Sequence, residues 1–316
     1  MKEMIAIVNP RAGNGQGHAI AEKTVARFKT SGINLELLET KSAGHASRIV
    51  QEQYKKGQRE FVCMGGDGTL YEVINGLFEQ GQPEQVKLAI VPIGTGNSFL
   101  KDFDQHTRNL ADKIIQNNLR SCDVIETTHT QGKLFWVNIF SFGFTANVGA
   151  TRNRRFPNIG TIGYSFSVFL ELKRLSSFPV KLSLDGRLIE SDATFISINN
   201  TRFTGGNMMM APDAKPNDGL LDVIEVQKMS RVELIKAFPK IFEGTHTSLP
   251  KVKTYKTGKI DFYFDHPLDI MIDGEMKHIQ PFFHARTSGS HTNLCVNCSK
   301  LYFQSMYGRF VLSGWL

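Results

Sequence analysis

The chain has 316 residues, 41% of them hydrophobic and 21% charged, and carries a formal net charge of +7. That length suits two domain cores, and the composition is that of a globular protein rather than a disordered or fibrous one. No stretch approaches the ~18 uninterrupted apolar residues of a membrane-spanning helix. The first residues lack a signal-peptide layout, and the positive balance favours an anionic partner: nucleotide, nucleic acid or acidic lipid surface.

Strand and helix signals alternate over the first 120 residues. Met4 to Val8 predicts a strand, followed by the glycine-rich Asn9–Gly15 turn and a helix through Phe28. Leu35 to Glu39 and Ala46 to Lys55 predict a second strand and helix. Glu60 to Met64 is a short apolar strand, and Leu70, Val73, Ile74 and Leu77 then recur at helical spacing. Lys87 to Val91 follows, ending in Pro92-Ile93-Gly94-Thr95-Gly96-Asn97. Apolar strands separated by helices imply a parallel sheet covered on both faces. Three glycine-rich turns then fall at the strand edge where open α/β sheets bind ligands.

After Asp123 strand-like runs dominate: 134–140, 180–184, 194–198, 221–226, 260–264 and 268–272. Helical patterns interrupt them at about 162–175 and 231–241. Residues 123–286 therefore read as a mostly antiparallel sheet domain, after an α/β domain over 1–122. The tail, 287–316, is polar and then apolar at Phe310–Leu316; Leu301–Ser305 resembles part of an engineered viral-protease cleavage sequence, and the tail stays outside the functional argument. Cys63 and Cys122 read as buried thiols, and Cys295 and Cys298 form one C-x-x-C without a second ligand pair. A reduced cytoplasmic setting follows, and zinc does not.

The most informative segment is Gly65-Gly66-Asp67-Gly68-Thr69-Leu70-Tyr71, between a strand and a helix. Glycines let backbone N–H groups converge on phosphate oxygens, and a helix N-terminus adds favourable dipole. A carboxylate there would repel phosphate unless it held Mg²⁺ or took a proton, so Asp67 is the candidate for one of those roles. The alternative is a plain tight turn with Asp67 as a helix cap. Gly94, Thr95, Gly96 and Asn97 offer a hydroxyl and an amide at a second such turn, with a type II turn as the plain alternative. Thr40 ends the second strand and reaches the same edge, unless it caps the next helix.

In the second half, Gly205–Ala214 combines a glycine turn with methionines, and reads as a lipid- or nucleotide-facing surface or as a β-bulge over core methionines. Asn217–Asp222 contains Asp218-Gly219, a hairpin signal that could also hold a hard cation through oxygen ligands. Ile272-Asp273-Gly274-Glu275 is another hairpin signal and puts two carboxylates at one strand end. Arg152, Arg154, Arg155, Lys173 and Arg174 flank Phe156, Phe166 and Phe169, which suits an anionic membrane surface or a solvated helix face over a core stripe.

In this order, from Asn9-Pro10 to Asp273-Gly274-Glu275, the segments resemble the diacylglycerol-kinase catalytic family, which includes sphingosine and ceramide kinases and bacterial lipid kinases. The resemblance covers about residues 4–280. It implies an N-terminal α/β domain like that of NAD kinases and phosphofructokinases, a C-terminal β-sandwich domain, and an active site in the cleft between them. It further implies that ATP phosphates contact Thr40, the loop Gly65, Gly66, Asp67, Gly68, Thr69, Leu70 and Tyr71, and Thr95, with Asn97 beside them. Glu275 matches the glutamate proposed as general base in bacterial members, and Asp67 the group that organises Mg²⁺ and phosphate or itself takes the substrate proton. Asp218, with main-chain oxygens of Lys215 and Leu220, matches a structural Mg²⁺ site.

Three positions depart from the family pattern. Tyr71 stands where many relatives have Asn, Ser98 where many have Asp, and Asn217 replaces a common first Asp. The expected activity is transfer of the γ-phosphate of ATP to a lipid hydroxyl, of diacylglycerol or a related lipid. The expected setting is cytoplasmic and peripheral at the inner membrane face, with a homodimer left open and nucleic acid disfavoured because the charge is dispersed. The rival readings are a soluble NAD-kinase-like enzyme, which should lack the Gly205–Ala214 and Asn217–Asp222 segments, and a non-catalytic nucleotide or lipid sensor.

Overall fold

The computed structural model describes residues 2–79, 83, 86–94, 96–103, 110–117, 119–129, 131–156, 160–264, 267–279, 292–299 and 311–313. The chain divides into two units, Met1–Cys122 with Lys300–Leu316, and Asp123–Ser299.

The first unit is an α/β fold around a parallel sheet. Strands β1 (Lys2–Val8), β2 (Ile33–Glu39), β3 (Glu60–Gly65), β4 (Lys87–Pro92) and β18 (Val311–Ser313) lie in the order β18-β4-β3-β1-β2, with every pairing parallel. A four-residue turn, α1 (Ala12–Gly15), precedes α2 (Gly17–Thr30), and α3 (His45–Lys55), α4 (Asp67–Phe78) and α5 (Leu110–Ile115) complete the unit. The central strands β1, β3 and β4 bury side chains on both faces, which is why they read as apolar runs, whereas the edge strand β2 alternates buried and exposed residues over Ile33–Glu36. Met4, Ala6 and Val8 of β1 pack with Ala21 and Phe28 of α2 and with Ile114 of α5. Helices α3 and α4 pack together, so closely at Gly76 that a Cβ there would lie 2.5 Å from the Ser47 carbonyl oxygen.

The second unit is antiparallel throughout. Strands β5 (Val124–His129), β6 (Gly132–Trp136), β7 (Ile139–Gly143), β8 (Phe178–Leu184), β9 (Arg187–Asn199), β12 (Leu221–Gln227), β13 (Val252–Thr257), β14 (Lys259–Phe264), β15 (Leu268–Ile272), β16 (Glu275–Ile279) and β17 (Thr292–Ser299) form one eleven-stranded sheet. The short β10 (Phe203–Thr204) and β11 (Met208–Met209) make a separate ribbon. Helices α6 (Phe144–Arg155), α7 (Gly160–Glu171) and α8 (Arg231–Ala237) belong to the same unit. The sheet closes on itself as a sandwich: Phe140 and Phe142 of β7 meet Phe262 of β14 at ring-centroid distances of 5.8 and 5.3 Å, although those strands are not neighbours in the sheet.

Several sequence expectations are corrected here. The single strand expected over 134–140 is two, β6 and β7, because the N–H groups of Val137, Asn138 and Ile139 turn away to a buried carboxylate described below. A helix not expected at all, α6, covers Phe144–Arg155. The helix expected over 162–175 ends at Glu171 and continues only as a 3₁₀ turn, Leu172–Arg174. The one expected over 231–241 ends at Ala237, and Phe238–Phe242 is 3₁₀, with Pro239 unable to extend the α-helical ladder. Asp218-Gly219 joins no paired strands, since β11 pairs only β10 and β12 pairs β9 and β13. Asp273-Gly274 does make a two-residue hairpin, with Ile272 paired to Glu275 and φ values of +48° and +88°. The side chains of Cys295 and Cys298 and most of the tail lie outside the described residues.

Candidate active site

Because β1 to β4 run parallel, the segments that follow them come to one edge of the sheet. Asn9, after β1, donates its backbone N–H to the Met64 carbonyl (2.9 Å) and its side-chain amide to the Thr69 hydroxyl (3.3 Å). Thr40, after β2, donates its backbone N–H to the Val8 carbonyl (2.8 Å). Helix α3 begins only at His45, so Thr40 is not its cap. The Gly65 carbonyl accepts from Ile93 N–H (2.8 Å) and Gly94 N–H (3.2 Å), tying the turn after β3 to the turn after β4. Glycine is required at that seam: a Cβ on Gly94 would stand 2.6 Å from Gly66 Cα and 2.8 Å from Asn97 Oδ1. The turn after β1 shows the same economy, since a Cβ on Gly17 would lie 2.2 Å from the Asn9 carbonyl oxygen.

Asp67 opens α4, and Gly66 before it is the N-cap. The Asp67 carboxylate does not cap its own helix. It accepts from Ser98 N–H (3.0 Å) and Phe99 N–H (3.4 Å), at the start of the 3₁₀ turn Phe99–Asp102, and from the Ser98 side chain. Burial pushes the Asp67 carboxyl above the usual range, while those bonds and the charge of Lys101 pull it back. Its helix leaves the N–H groups of residues 67–69 without intrahelical partners, since the first bond of the ladder runs from Leu70 N–H to the Gly66 carbonyl (3.1 Å). Leu70 and Tyr71 are buried, so their side chains belong to the core and the loop offers backbone rather than side chains beyond Thr69. Asn97 sits at φ +45°, donates to the Gly94 carbonyl (2.6 Å), and keeps its Oδ1 buried without a hydrogen-bond partner. Thr95 lies outside the described residues.

Sequence reading missed two supports of this edge. Glu72, on α4, accepts from Gly44 N–H (2.7 Å) and Ala46 N–H (3.0 Å), and so supplies the N-terminal cap that α3 lacks locally. His18, on α2, bonds through Nδ1 to the Glu39 carboxylate at the end of β2 and lies 3.4 Å from Glu22. The Glu39 bond and charge, with Glu22, raise His18 above its ordinary 6.5. A raised folded value means the pair contributes fully below 6.5 and its contribution is lost as pH rises through the folded value. Replacing His18 by Gln is therefore expected to lower the urea midpoint most at acid pH, with the gap to the parent closing as pH rises; a gap independent of pH would remove this linkage. Cys63 lies inert behind the loop, its thiol pushed up to about 12 by burial and by Glu72 and Asp67.

The second unit holds the other two candidate groups. Glu275 begins β16 and is exposed, next to the Asp273-Gly274 turn. Asp218 accepts from Leu220 N–H (3.0 Å) through one oxygen, and its other oxygen lies 3.9 Å from the Lys256 ammonium. Lys256 also pairs with Asp222 (3.1 Å) and donates to the Asp213 carbonyl (3.0 Å). Burial raises the Asp222 carboxyl, with Lys256 acting against it. Gly219 N–H bonds to the Asp123 carboxylate (2.6 Å), and Asp123 N–H to the Pro216 carbonyl (2.6 Å), so the 216–219 loop is fixed from behind. Among the described residues, no three His, Cys, Asp or Glu side chains are grouped to hold a metal. One carboxylate plus main-chain carbonyls is an all-oxygen set that suits a largely hydrated Mg²⁺.

Residues 3–127 match the model of the diacylglycerol kinase catalytic domain, and residues 138–289 that of the YegS C-terminal NAD kinase beta sandwich-like domain. A diacylglycerol kinase of Mycobacterium tuberculosis is 31% identical over 258 residues, covering 80% of this chain and 82% of that protein. The chain belongs to the diacylglycerol-kinase catalytic family of lipid kinases. A diacylglycerol kinase of Staphylococcus aureus is 25% identical over 272 residues, with 85% and 84% covered. The fold is shared with a solved diacylglycerol kinase of Bacillus anthracis, at a TM-score of 0.69 and 21% identity over 99% of this chain and 96% of that one. Another solved chain from the same organism reaches 0.72 at 25% identity, covering 95% and 94%. Among the described residues of this chain no helix is long and apolar enough to cross a membrane.

Proposed function

We propose that this lipid kinase transfers the γ-phosphoryl group of ATP to the hydroxyl of diacylglycerol or a closely related lipid. The observation that carries the reading is the seam between the turns after β3 and β4, where two glycines allow backbone contact and the first-turn amides of α4 lack intrahelical partners. Phosphoryl transfer asks a protein mainly to position the reactants and neutralise charge, and such a seam does both. The Gly65–Tyr71 loop, through the first-turn amides of residues 67–69, holds the phosphates together with Thr40, Thr95 and Asn97. Asp67 keeps the 94–99 turn closed on them and orients the cation that accompanies ATP. Glu275 takes the proton of the lipid hydroxyl as its oxygen bonds to the γ-phosphorus and the bond to the β-phosphate oxygen breaks, releasing ADP. Asp218, with the carbonyls of Lys215 and Leu220, would hold a structural Mg²⁺, which would add positive charge beside Asp218 and Asp222.

For the lipid, the second unit has a small apolar cleft lined by Phe144, Val168, Phe195, Met208, Met210 and Leu234, which matches the acyl part of a lipid in polarity. Helices α7 and α8 contribute to that lining, and on α7 Phe166 and Phe169 are 54% and 55% exposed, in a chain segment bounded by exposed Arg154, Arg155, Lys173 and Arg174. Aromatic and basic side chains together suit docking on an anionic bilayer. The test is transfer of labelled γ-phosphate from ATP with Mg²⁺ to diacylglycerol, phosphatidylglycerol and a sphingoid base in mixed micelles, with NAD alongside. Label in one lipid class is expected; label in NAD alone would overturn the lipid acceptor. Sedimentation with vesicles should favour anionic over neutral ones, and equal binding would refute electrostatic docking.

A further inference from the structure

The second unit contains two Asp-Gly hairpins of the same backbone form, and they differ in a way that turn chemistry does not require. Asp185-Gly186 joins β8 to β9 at φ +48° and +87°, and Asp273-Gly274 joins β15 to β16 at φ +48° and +88°. Both have the two left-handed residues of a type I′ turn, which Asn or Gly would form as well. Asp185 is exposed. Asp273 is only 2% exposed, and its carboxylate accepts three backbone N–H bonds, from Val137, Asn138 and Ile139, each at 2.9 Å. Its own N–H returns to the Ile139 carbonyl, also at 2.9 Å. Burying a carboxylate is costly and is sustained only by such complete pairing.

The segment it grips is itself immobilised. Asn200 donates its backbone N–H to the Asn138 carbonyl (2.9 Å) and its side-chain amide to the Val137 carbonyl (2.7 Å) and the Asp123 carbonyl (3.0 Å). Thr201 bonds to the Asn138 side chain. On the far side of the turn, Met276 packs against Ile139, Ala146 and Met271. Glu275 lies between these two attachments, two residues after Asp273 and one before Met276, with an exposed side chain.

We infer that Asp273 is the positioning residue for Glu275: it sets the hairpin tip on the 137–139 segment so that the Glu275 carboxylate meets the lipid hydroxyl. This rests on Glu275 as the general base. A displacement of about 1 Å in a reacting group can cost about 10²-fold in rate, so the anchor is visible in turnover.

The test uses the full chain and the lipid-kinase assay with diacylglycerol micelles, ATP and Mg²⁺, below the unfolding range of every variant. Asp273→Asn puts an N–H₂ against one of the three amide donors. Asp273→Gly removes the carboxylate while favouring the turn, so the hairpin survives. Both are expected to lower kcat about 10²-fold with the lipid KM unchanged. The double variant Asp273→Asn/Glu275→Gln is expected to be no slower than Glu275→Gln alone, because Asp273 acts through Glu275. Additive losses in the double variant would overturn the proposal, as would a kcat per folded molecule equal to the parent's in Asp273→Gly. Parent-like turnover in Glu275→Gln would instead remove the base assignment itself, and the two failures are thereby distinguished.

Discussion

Glu275→Gln is expected to fold like the parent chain and to lose turnover by about 10²–10⁴-fold, the usual worth of a general base. The side chain is exposed, and its backbone is held by pairing with β15 and by the neighbouring Asp273 anchor. Surface changes of this kind rarely alter stability by more than about 0.5 kcal/mol. The amide keeps the size of the carboxyl but carries neither its charge nor its capacity to take a proton. Asp67→Asn should also lose most turnover, but with a second signature. Its carboxylate accepts from the backbone of Ser98 and Phe99, and an amide nitrogen facing either N–H would loosen the 94–99 turn. Nucleotide affinity should therefore fall in Asp67→Asn and stay near the parent's in Glu275→Gln. Steady-state kinetics and calorimetric ATP titration separate the two, and parent-like turnover in both variants would remove these roles.

Gly94→Ala is expected to cost about 1–3 kcal/mol of stability and to weaken ATP binding at least tenfold. The methyl would come within 2.6 Å of Gly66 Cα and 2.8 Å of Asn97 Oδ1. The first of these is main chain, which cannot swing aside, and Gly66 is also the N-cap of α4. Relief has to come from separating the two turns, which pulls the amide groups off the common focus proposed for the phosphates. Gly258→Ala is the matched control: its Cβ would meet only Asp185 Oδ1, at 3.6 Å, an ordinary contact. Chemical denaturation and ATP titration of both variants check the contrast. An unperturbed Gly94→Ala would mean that the seam tolerates a side chain and does not bring the amides to a focus.

What could be read from the residues follows from the range of the forces involved. The central parallel strands β1, β3 and β4 declare themselves as apolar runs because both faces are covered, and the expected strand Leu268–Ile272 coincides with β15 to the residue. The gathering of Asn9, Thr40, Gly65 and Gly94 at one edge follows from parallel direction alone. What was illegible depends on partners far away in the chain. The break between β6 and β7 is made by Asp273, 136 residues from Val137. The cap of α3 comes from Glu72, 28 residues beyond Gly44. Asp67 bonds to Ser98, 31 residues on, rather than to its own helix. Helix α6 gave no signal because glycine, asparagine, threonine and three arginines dilute its apolar face. The helix past Ala237 was over-extended because its apolar spacing continues through Phe238 and Ile241 while Pro239 ends the ladder.

Strand β9 has a consequence for how the second unit comes apart. Over residues 187–193 it pairs with β8, and over 195–199 with β7, while β12 lies along its other edge from 193 to 199. One thirteen-residue strand is thus the common member of both layers of the sandwich. Neither layer can peel away without breaking the ladder of the other, so partial opening has no inexpensive route and the layers dissociate as one cooperative block. Amide protons in the second half of β9 will exchange with solvent only when that whole block does, which makes this strand the slow clock of the unit.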